Sequence, residues 1–591
     1  MKIRMFLNIF FFFIAVCFVN NYANEIIFSQ RFTADPAPLV YKGRVYVYCS
    51  HDKNDQHDWN MVDYTCLSSD DMINWTDHGE VFDVRSTKWH SDAWACQVVE
   101  RNDIFYLYWS CPGKGIGVAV SSKPEGPFRE ARPDPLITLD GIDPTILIDD
   151  DGQAYIYWPG PHIYKLSKDM IHIEGEEINV NIDDQHEASY ITHINGKYQY
   201  SYMSFQSWEE WGEKGKLSDF SERYVIGDSP TGPFRDPKGT RESRTMLWPV
   251  YGGGNTQPGV FCFNGKYYSF YHSNKLAILH NEELCCQRNI GLDRLYVNSD
   301  GTYKMQTITQ DGLRQLKYVN PYKRNEAEAM AGEEGINTEP CSDKGGGRDV
   351  YLINSDDWIR IAGVDFGLGG KEFEARICAD SAGGKIEIRL DKADGPVKAA
   401  IDVPNTGGFQ TWRTIKKKIN GISGIHDLYF RFEGKNFHFN WWSFSGGKIS
   451  GAIPPPVVKS ITIWSKADNK YLSADNNFTL SEDTSSMLSD KNKFILYDNE
   501  DGTYSLMSSA TKKYLSYGNN QIISVDKDSA SGYAEKFGLY YVNGYYCICS
   551  AVNQKYIKVP LHSGKPILAD LEKPWEKEYR DVSRFKIEYI K

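Results

Sequence analysis

Three carboxylates in the first half of this chain, Asp35, Asp143 and Glu187, occupy equivalent places in a repeated phrase. Two carboxyl groups facing a glycosidic bond are the minimum apparatus for hydrolysing it: one protonates the leaving oxygen, the other activates water or attacks directly. Asp35 and Asp143 each precede a proline, which disfavours helix and predicts an extended aspartate. Taken singly an Asp-Pro pair marks a turn. Three acids at matching positions, one of them switched to Glu, ask for more than turn chemistry.

The phrase that carries them is written five times. It reads DPAPLVYKGRVYVYCS from Asp35, WACQVVERNDIFYLYWS from Trp94, DPTILIDDDGQAYIYW from Asp143, EASYITHINGKYQYSYM from Glu187 and QPGVFCFNGKYYSFYHS from Gln257. Each copy is a strand, a polar turn with Gly or Asp, and a strand rich in Tyr and β-branched residues, which is a hairpin signal. Between the copies a second phrase recurs (CLSSDDMINWTDHG, VAVSSKPEGPFRE, YKLSKDMIHIEG, YVIGDSPTGPFRDP, IGLDRLYVNSDGTY), which predicts an outer hairpin and hence four strands per unit. Five all-β repeats predict a five-bladed β-propeller over residues 25–320, with the opening residues of the five copies converging on its axis.

Two further all-β units follow. Short alternating strands over residues 322–448 predict a β-sandwich of jelly-roll type. The linker GAIPPPVV closes the interval 449–458 and is stiffened by its prolines. From 459 to 591 the motifs KYLSA, KYLSY and KYIKV place Tyr471, Tyr514 and Tyr556 at near-equal spacing, which predicts a β-trefoil.

Residues 30–315 resemble glycoside hydrolase family 43, the five-bladed propeller glycosidases, through ADPAP, the GIDPTILIDDDGQAYIYW block, the Glu opening the fourth copy and NGKYYSFYHS with QRNIGLDRL beyond it. The resemblance implies an inverting mechanism with Asp35 as general base, Glu187 as general acid and Asp143 keeping that acid protonated and aimed. Inversion asks for base and acid about 6.5–9.5 Å apart, leaving room for water. By the same resemblance His272 touches an axial calcium ion or its waters, and Arg288 binds substrate. Trp94, which opens the second copy, and Trp59 are candidate stacking walls for a sugar, core packing being the alternative. The second unit is similar to carbohydrate-binding modules of family 6. That implies a structural calcium at Glu326 and Glu328 and sugar contacts from Trp412, Tyr351 and His438. Leu352 stands where a second aromatic is usual, His438 where an Asn is usual, and Asn440 where a metal-binding Asp is usual. The third unit resembles fascin-like or ricin-like modules.

The expected activity is removal of α-L-arabinofuranosyl groups from arabinoxylan or arabinan, with β-xylosidase or galactan-active enzyme as alternatives and a non-catalytic propeller lectin as the reading from another class. A structural calcium and no organic cofactor are expected. Net charge −12 offers no basic face for nucleic acid, and 14% aromatic residues suit surfaces that stack on sugar rings. Lys2 and Arg4 before the apolar stretch Met5–Val19 predict a secretory signal peptide over residues 1–23, hence a secreted, cell-surface or periplasmic protein. Cys17 meets a lipoprotein box only in part, and no later segment is apolar enough to span a membrane. Eleven further cysteines show no C-x-x-C or zinc spacing.

Overall fold

A computed structural model describes residues 27–53, 59–138, 141–205, 220–250, 255–274, 276–277, 287–306, 313–454, 458–467, 469–474, 480–483, 489–542, 545–560, 566–572 and 581–590. The signal peptide, Cys17, Cys285 and Cys286 lie outside the described residues. Among those described, no helix is long and apolar enough to cross a membrane, and none of nine cysteines is paired.

Five antiparallel sheets fill the first half. Their opening strands are Phe32–Tyr41, Trp94–Arg101, Thr145–Ile148, Glu187–Ile194 and Gly259–Phe263. Each opening strand packs beside the next, and the fifth packs back against the first, so the sheets close into a ring as five blades. An apolar cluster fills each gap between blades: Tyr64 with Trp109, Tyr108 with Ile156, Tyr157 with Tyr200, Tyr224 with Tyr271, and Phe270 with Val47. Many of the propeller's tyrosines are thus inter-blade packing, with buried hydroxyls such as those of Tyr48 and Tyr108 donating to backbone carbonyls. Where the fifth opening strand meets the first there is no room for a side chain: a Cβ on Gly259 would sit 2.6 Å from Pro36 O. The start of the first opening strand also reaches the last blade's chain, Thr33 N donating to Arg288 O at 2.8 Å.

The outer hairpins depart from expectation in two blades. In the fourth, the SPTGPFRDP turn makes only an isolated bridge, Ile226 with Arg235, and the outermost strand is Thr245–Val250. In the fifth, among the described residues, the sheet has three strands, and NSDGTY contributes the bridge Val297–Tyr303.

The second unit stacks two sheets over one core that includes Ile361, Phe373, Phe430, Phe439 and Trp442. It is not merely tethered, because Ala329–Met330 pairs with Trp75 and Thr76 on the outer strand of blade 1. The third unit is a continuous twelve-stranded sheet whose last strand, Phe585–Tyr589, pairs with its first, Val458–Ser465. Leu472, Leu515 and Ile557, each following a repeat tyrosine, are buried in its core.

Candidate active site

The axial ends of the opening strands bend sharply. Asp35 and Asp143 adopt φ of +51° and +50°, and Ala188, just after Glu187, has φ of +55°. This corrects the extended aspartates expected from Asp-Pro. A register shift between Ala34 and Ala37, and another between Glu187 and Tyr190, mark bulges at the same places. Bulges of this kind re-aim side chains, and left-handed non-glycine residues persist only where neighbours hold them. Those holds are specific: Asp35 N donates to His272 Nδ1 at 3.0 Å, Asp143 N to Ser110 Oγ at 2.7 Å, and Ala188 N to Asp143 Oδ2 at 2.8 Å.

One hydrogen-bonded chain then joins Asp35 to Glu187. Arg288 Nη1 donates to Asp35 Oδ1 at 2.9 Å and to Asn255 Oδ1 at 3.1 Å, and Asn255 Nδ2 donates to Glu187 Oε1 at 2.7 Å. His272 Nε2 donates to Asn255 Oδ1 at 2.7 Å. With two donors facing its oxygen, the Asn255 amide can turn only its nitrogen toward Glu187. Ser50 Oγ donates to Asp35 Oδ2 at 2.8 Å. Asp143 is coupled to the acid through Ala188. Asp35 and Glu187 therefore share one hydrogen-bonded chain, and Asp143 holds the backbone of the residue that follows Glu187.

Electrostatics divide the roles. Burial, then the charges of Glu187 and Asp35, push the Asp143 carboxyl well above the ordinary range. The Glu187 carboxyl is also raised, by burial first and with Asp35 adding to it, while the Asn255 hydrogen bond opposes. Each carboxyl of the pair therefore keeps its proton to higher pH than an ordinary carboxyl does, which is the direction a proton donor needs. Asp35 instead sits against a cation. His272 lies 3.4 Å from Asp35 Oδ1, an ion-pair distance. Burial nonetheless pushes its imidazole down to about 3, so it is neutral, accepting at Nδ1 and donating at Nε2.

The supporting residues fall out differently from expectation. Arg288 is 1% exposed. Its Nε and Nη2 clamp Asp52 at 2.9 Å each, and its Nη1 serves Asp35 and Asn255. The guanidinium is buried against Asp52, Asp35 and Asn255, and it holds the Asp35 carboxylate in place. The Trp59 ring lies over that guanidinium at 4.7 Å, and Trp94 Nε1 donates to Trp59 O at 3.0 Å. The two tryptophans are thus neighbours, both partly buried at the rim of the site. The calcium expected at His272 does not fit this donor set, since both ring nitrogens are committed to Asp35 and Asn255. Sequence reasoning missed Asn255, Asp52, Ser50 and Ser110. Asn255 stands two residues before Gln257, the first residue of the fifth copy.

In the sandwich, His438 is buried and bonds Asp349 Oδ1 at 2.9 Å, with Glu339 Oε1 at 3.3 Å. Tyr351 lies 5.9 Å from its ring. Trp412 reaches the group through Gln410, its Nε1 donating to Gln410 Oε1 at 3.3 Å. Phe409, 45% exposed, stacks on His438 at 4.7 Å and supplies the aromatic that Leu352 does not. Gln410 Nε2 donates to both Glu339 and Asp349, knitting the acids into a hydrogen-bonded patch. At the expected sandwich calcium, Glu326 is paired with Arg324, and Glu328 is buried with Oε2 unpartnered. Asn440 Oδ1 is likewise buried without a partner, on the strand that receives Ala327 N at 2.8 Å. Two orphaned buried oxygens on adjoining chain segments are what a hard cation satisfies.

A ring of five sheets with an acid triad converging at its axial ends defines a propeller glycosidase. Residues 25–303 match the family described as Glycosyl hydrolases family 43, and residues 326–446 match Carbohydrate binding module (family 6). An arabinoxylan arabinofuranohydrolase of Paenibacillus polymyxa is 30% identical over 76% of this chain and 81% of its own. One of Bacillus subtilis is 32% identical over 70% of this chain and 90% of its own. A solved family 43 arabinoxylan arabinofuranohydrolase from Bacillus subtilis, in complex with cellotetraose, superposes with a TM-score of 0.64 at 30% identity, covering 72% of this chain and 99% of that one. The chain belongs to glycoside hydrolase family 43 and is a glycosidase.

Proposed function

We propose that the protein removes α-L-arabinofuranosyl groups from arabinoxylan by a single inverting displacement. Asp35 takes the proton of the attacking water, and Glu187 gives its proton to the departing glycosidic oxygen. Asp143, raised by burial beside it, holds the shared proton on the pair and fixes the backbone at Ala188. The single observation that carries this is the Arg288–Asn255–Glu187 chain, which ties a cation-paired carboxylate to a proton-retaining one. The substrate rests on the two relatives named for arabinoxylan.

The remaining assignments follow the same lines. Trp59 and Trp94 form one wall of the sugar pocket. Glu328, Asn440 and Glu326 would hold a structural calcium ion, whose charge would satisfy the two unpartnered buried oxygens. Tyr351, Phe409, Trp412 and His438 give the sandwich a polysaccharide contact, and the third unit is a β-trefoil, supported by its twelve strands in three repeats. The leader at residues 1–23 sends the enzyme out of the cytoplasm. The test is hydrolysis of nitrophenyl α-L-arabinofuranoside against the β-xyloside, with the anomer of the first product read by proton NMR. A retained anomer, or Glu187→Ala with unchanged turnover, overturns the mechanism.

A further inference from the structure

Behind the acid lies a second carboxyl that the mechanism does not use. Glu222, on the third strand of blade 4, is fully buried, and its register partners are Met203 and Leu247. The pairing with Thr245–Val250 shifts on both sides of it, so the strand is bent at this residue. Thr256 Oγ1 donates to Glu222 Oε1 at 2.9 Å, and Glu222 Oε2 has no partner. Among the described residues no charged group compensates it: the groups facing it are Thr256, Ser269 and Tyr271, whose hydroxyl donates to Asp293 Oδ2 at 3.2 Å. The neighbouring Arg223 pairs with Asp184. A buried, unpaired carboxyl is costly and persists where it does a job.

The job is set by what Thr256 is attached to. The preceding residue is Asn255, whose amide nitrogen holds Glu187 Oε1 and whose oxygen receives His272 and Arg288. We infer that Glu222 is a positioning residue: through the Thr256 hydroxyl it anchors the Asn255–Thr256 segment, and through Asn255 it sets the orientation and proton affinity of the Glu187 carboxyl. Burial pushes the Glu222 carboxyl up to about 8, so below that pH it is neutral and anchors Thr256 without placing a second charge behind the acid. This rests on Glu187 as the proton donor.

Four variants test it. The Asn255 hydrogen bond lowers the proton affinity of Glu187, so loosening Asn255 raises it and moves the alkaline limb of kcat to higher pH while the plateau falls. Thr256→Val and Glu222→Leu are expected to lower kcat about tenfold or more with KM within about twofold, as loss of an orienting contact does. Both should move the alkaline limb upward. Thr256→Ser and Glu222→Gln keep the donor and acceptor and should restore plateau and limb. Should Glu222→Leu fail to fold, Thr256→Val carries the test alone. The inference is overturned if Thr256→Val leaves the pH profile in place, or if the conservative pair is as impaired as the disruptive one. Glu187→Ala separates the two layers. Its turnover persisting unseats the acid; its turnover lost with an unmoved limb in Thr256→Val unseats only Glu222.

Discussion

The Arg288–Asp52 pair predicts a coupling that can be measured directly. Both side chains are 1% exposed. Three N–H groups of Arg288, backbone included, reach Asp52 at 2.8 to 2.9 Å. Removing one member of such a pair strands a buried charge at a cost of about 3–5 kcal/mol, whereas replacing both by apolar groups is close to neutral. Arg288→Met and Asp52→Leu should each lose that amount. The double variant should lie nearer the parent than either single, though Asp35 remains without its cation. At about 2–4 °C per kcal/mol for domains of 150–250 residues, each single substitution lowers Tm by on the order of 10 °C. Turnover should separate from stability. Arg288→Met, alone or doubled, leaves Asp35 held only by Ser50 and its backbone, and a misplaced reacting group costs about a hundredfold. Asp52→Leu keeps the Arg288–Asp35 contact and should retain much more activity. Calorimetry and nitrophenyl arabinofuranoside hydrolysis on the four proteins read both quantities. Strictly additive Tm losses, with no recovery in the double variant, would falsify the coupled pair; a fully active Arg288→Met would remove the arginine from the positioning of the base.

Further outcomes follow from the other groups. Asp143→Asn removes the partner whose charge helps keep a proton on the pair, so the alkaline limb of kcat/KM should move to lower pH; an upward move contradicts the assignment. Between pH 4.5 and about 8 the unfolded chain releases the Glu222 proton while the folded protein keeps it, so stability falls as pH rises through that window. Glu222→Gln escapes that loss, and its stability advantage should grow from nothing near pH 4.5 to on the order of 4 kcal/mol near pH 8; an advantage independent of pH would mean the carboxyl is ionised throughout. For the sandwich, chelation should lower Tm in the parent and have no effect in Glu328→Gln or Asn440→Ala, and an equal response in all three would place the ion elsewhere.

Much of the architecture was legible because propeller repeats are local: each hairpin carries its own turn residues and alternation, so five copies announce five blades. The acids were legible for the same reason, standing at the same phase of each copy. What stayed hidden depends on distance in sequence. Asn255 matters because it is 68 residues from Glu187 in the chain yet 2.7 Å away in space, and no motif writes that down. Asp52 is one Asp at the end of a strand, and only the buried Arg288 gives it meaning. The left-handed backbone at Asp35 and Asp143 ran against the local rule for residues before proline, and local rules fail most where neighbours hold a functional side chain in a costly conformation. Phe409 escaped notice because the strand Gly408–Lys418 bulges opposite Cys378, carrying Phe409 onto His438.

The same logic decides how the sandwich relates to the catalytic ring. Asp77, on the outer strand of blade 1, has a fully buried side chain that accepts bonds from Arg31 and Gly79 of the propeller and from Thr338 of the sandwich, with Arg348 3.3 Å away. Burial alone would raise its carboxyl, but the two guanidiniums outweigh that and hold it below the ordinary range. Asn74 and Ala362 exchange two hydrogen bonds across the same seam, at 2.8 and 3.1 Å, and Ala329–Met330 extends the blade sheet by a fifth strand. A carboxylate buried between arginines from both units is stable only while the units stay docked, because parting them leaves charges partnerless at the seam. The sandwich is therefore a structural continuation of blade 1. Any polysaccharide it holds is presented at a fixed position relative to the acids rather than at the end of a flexible tether.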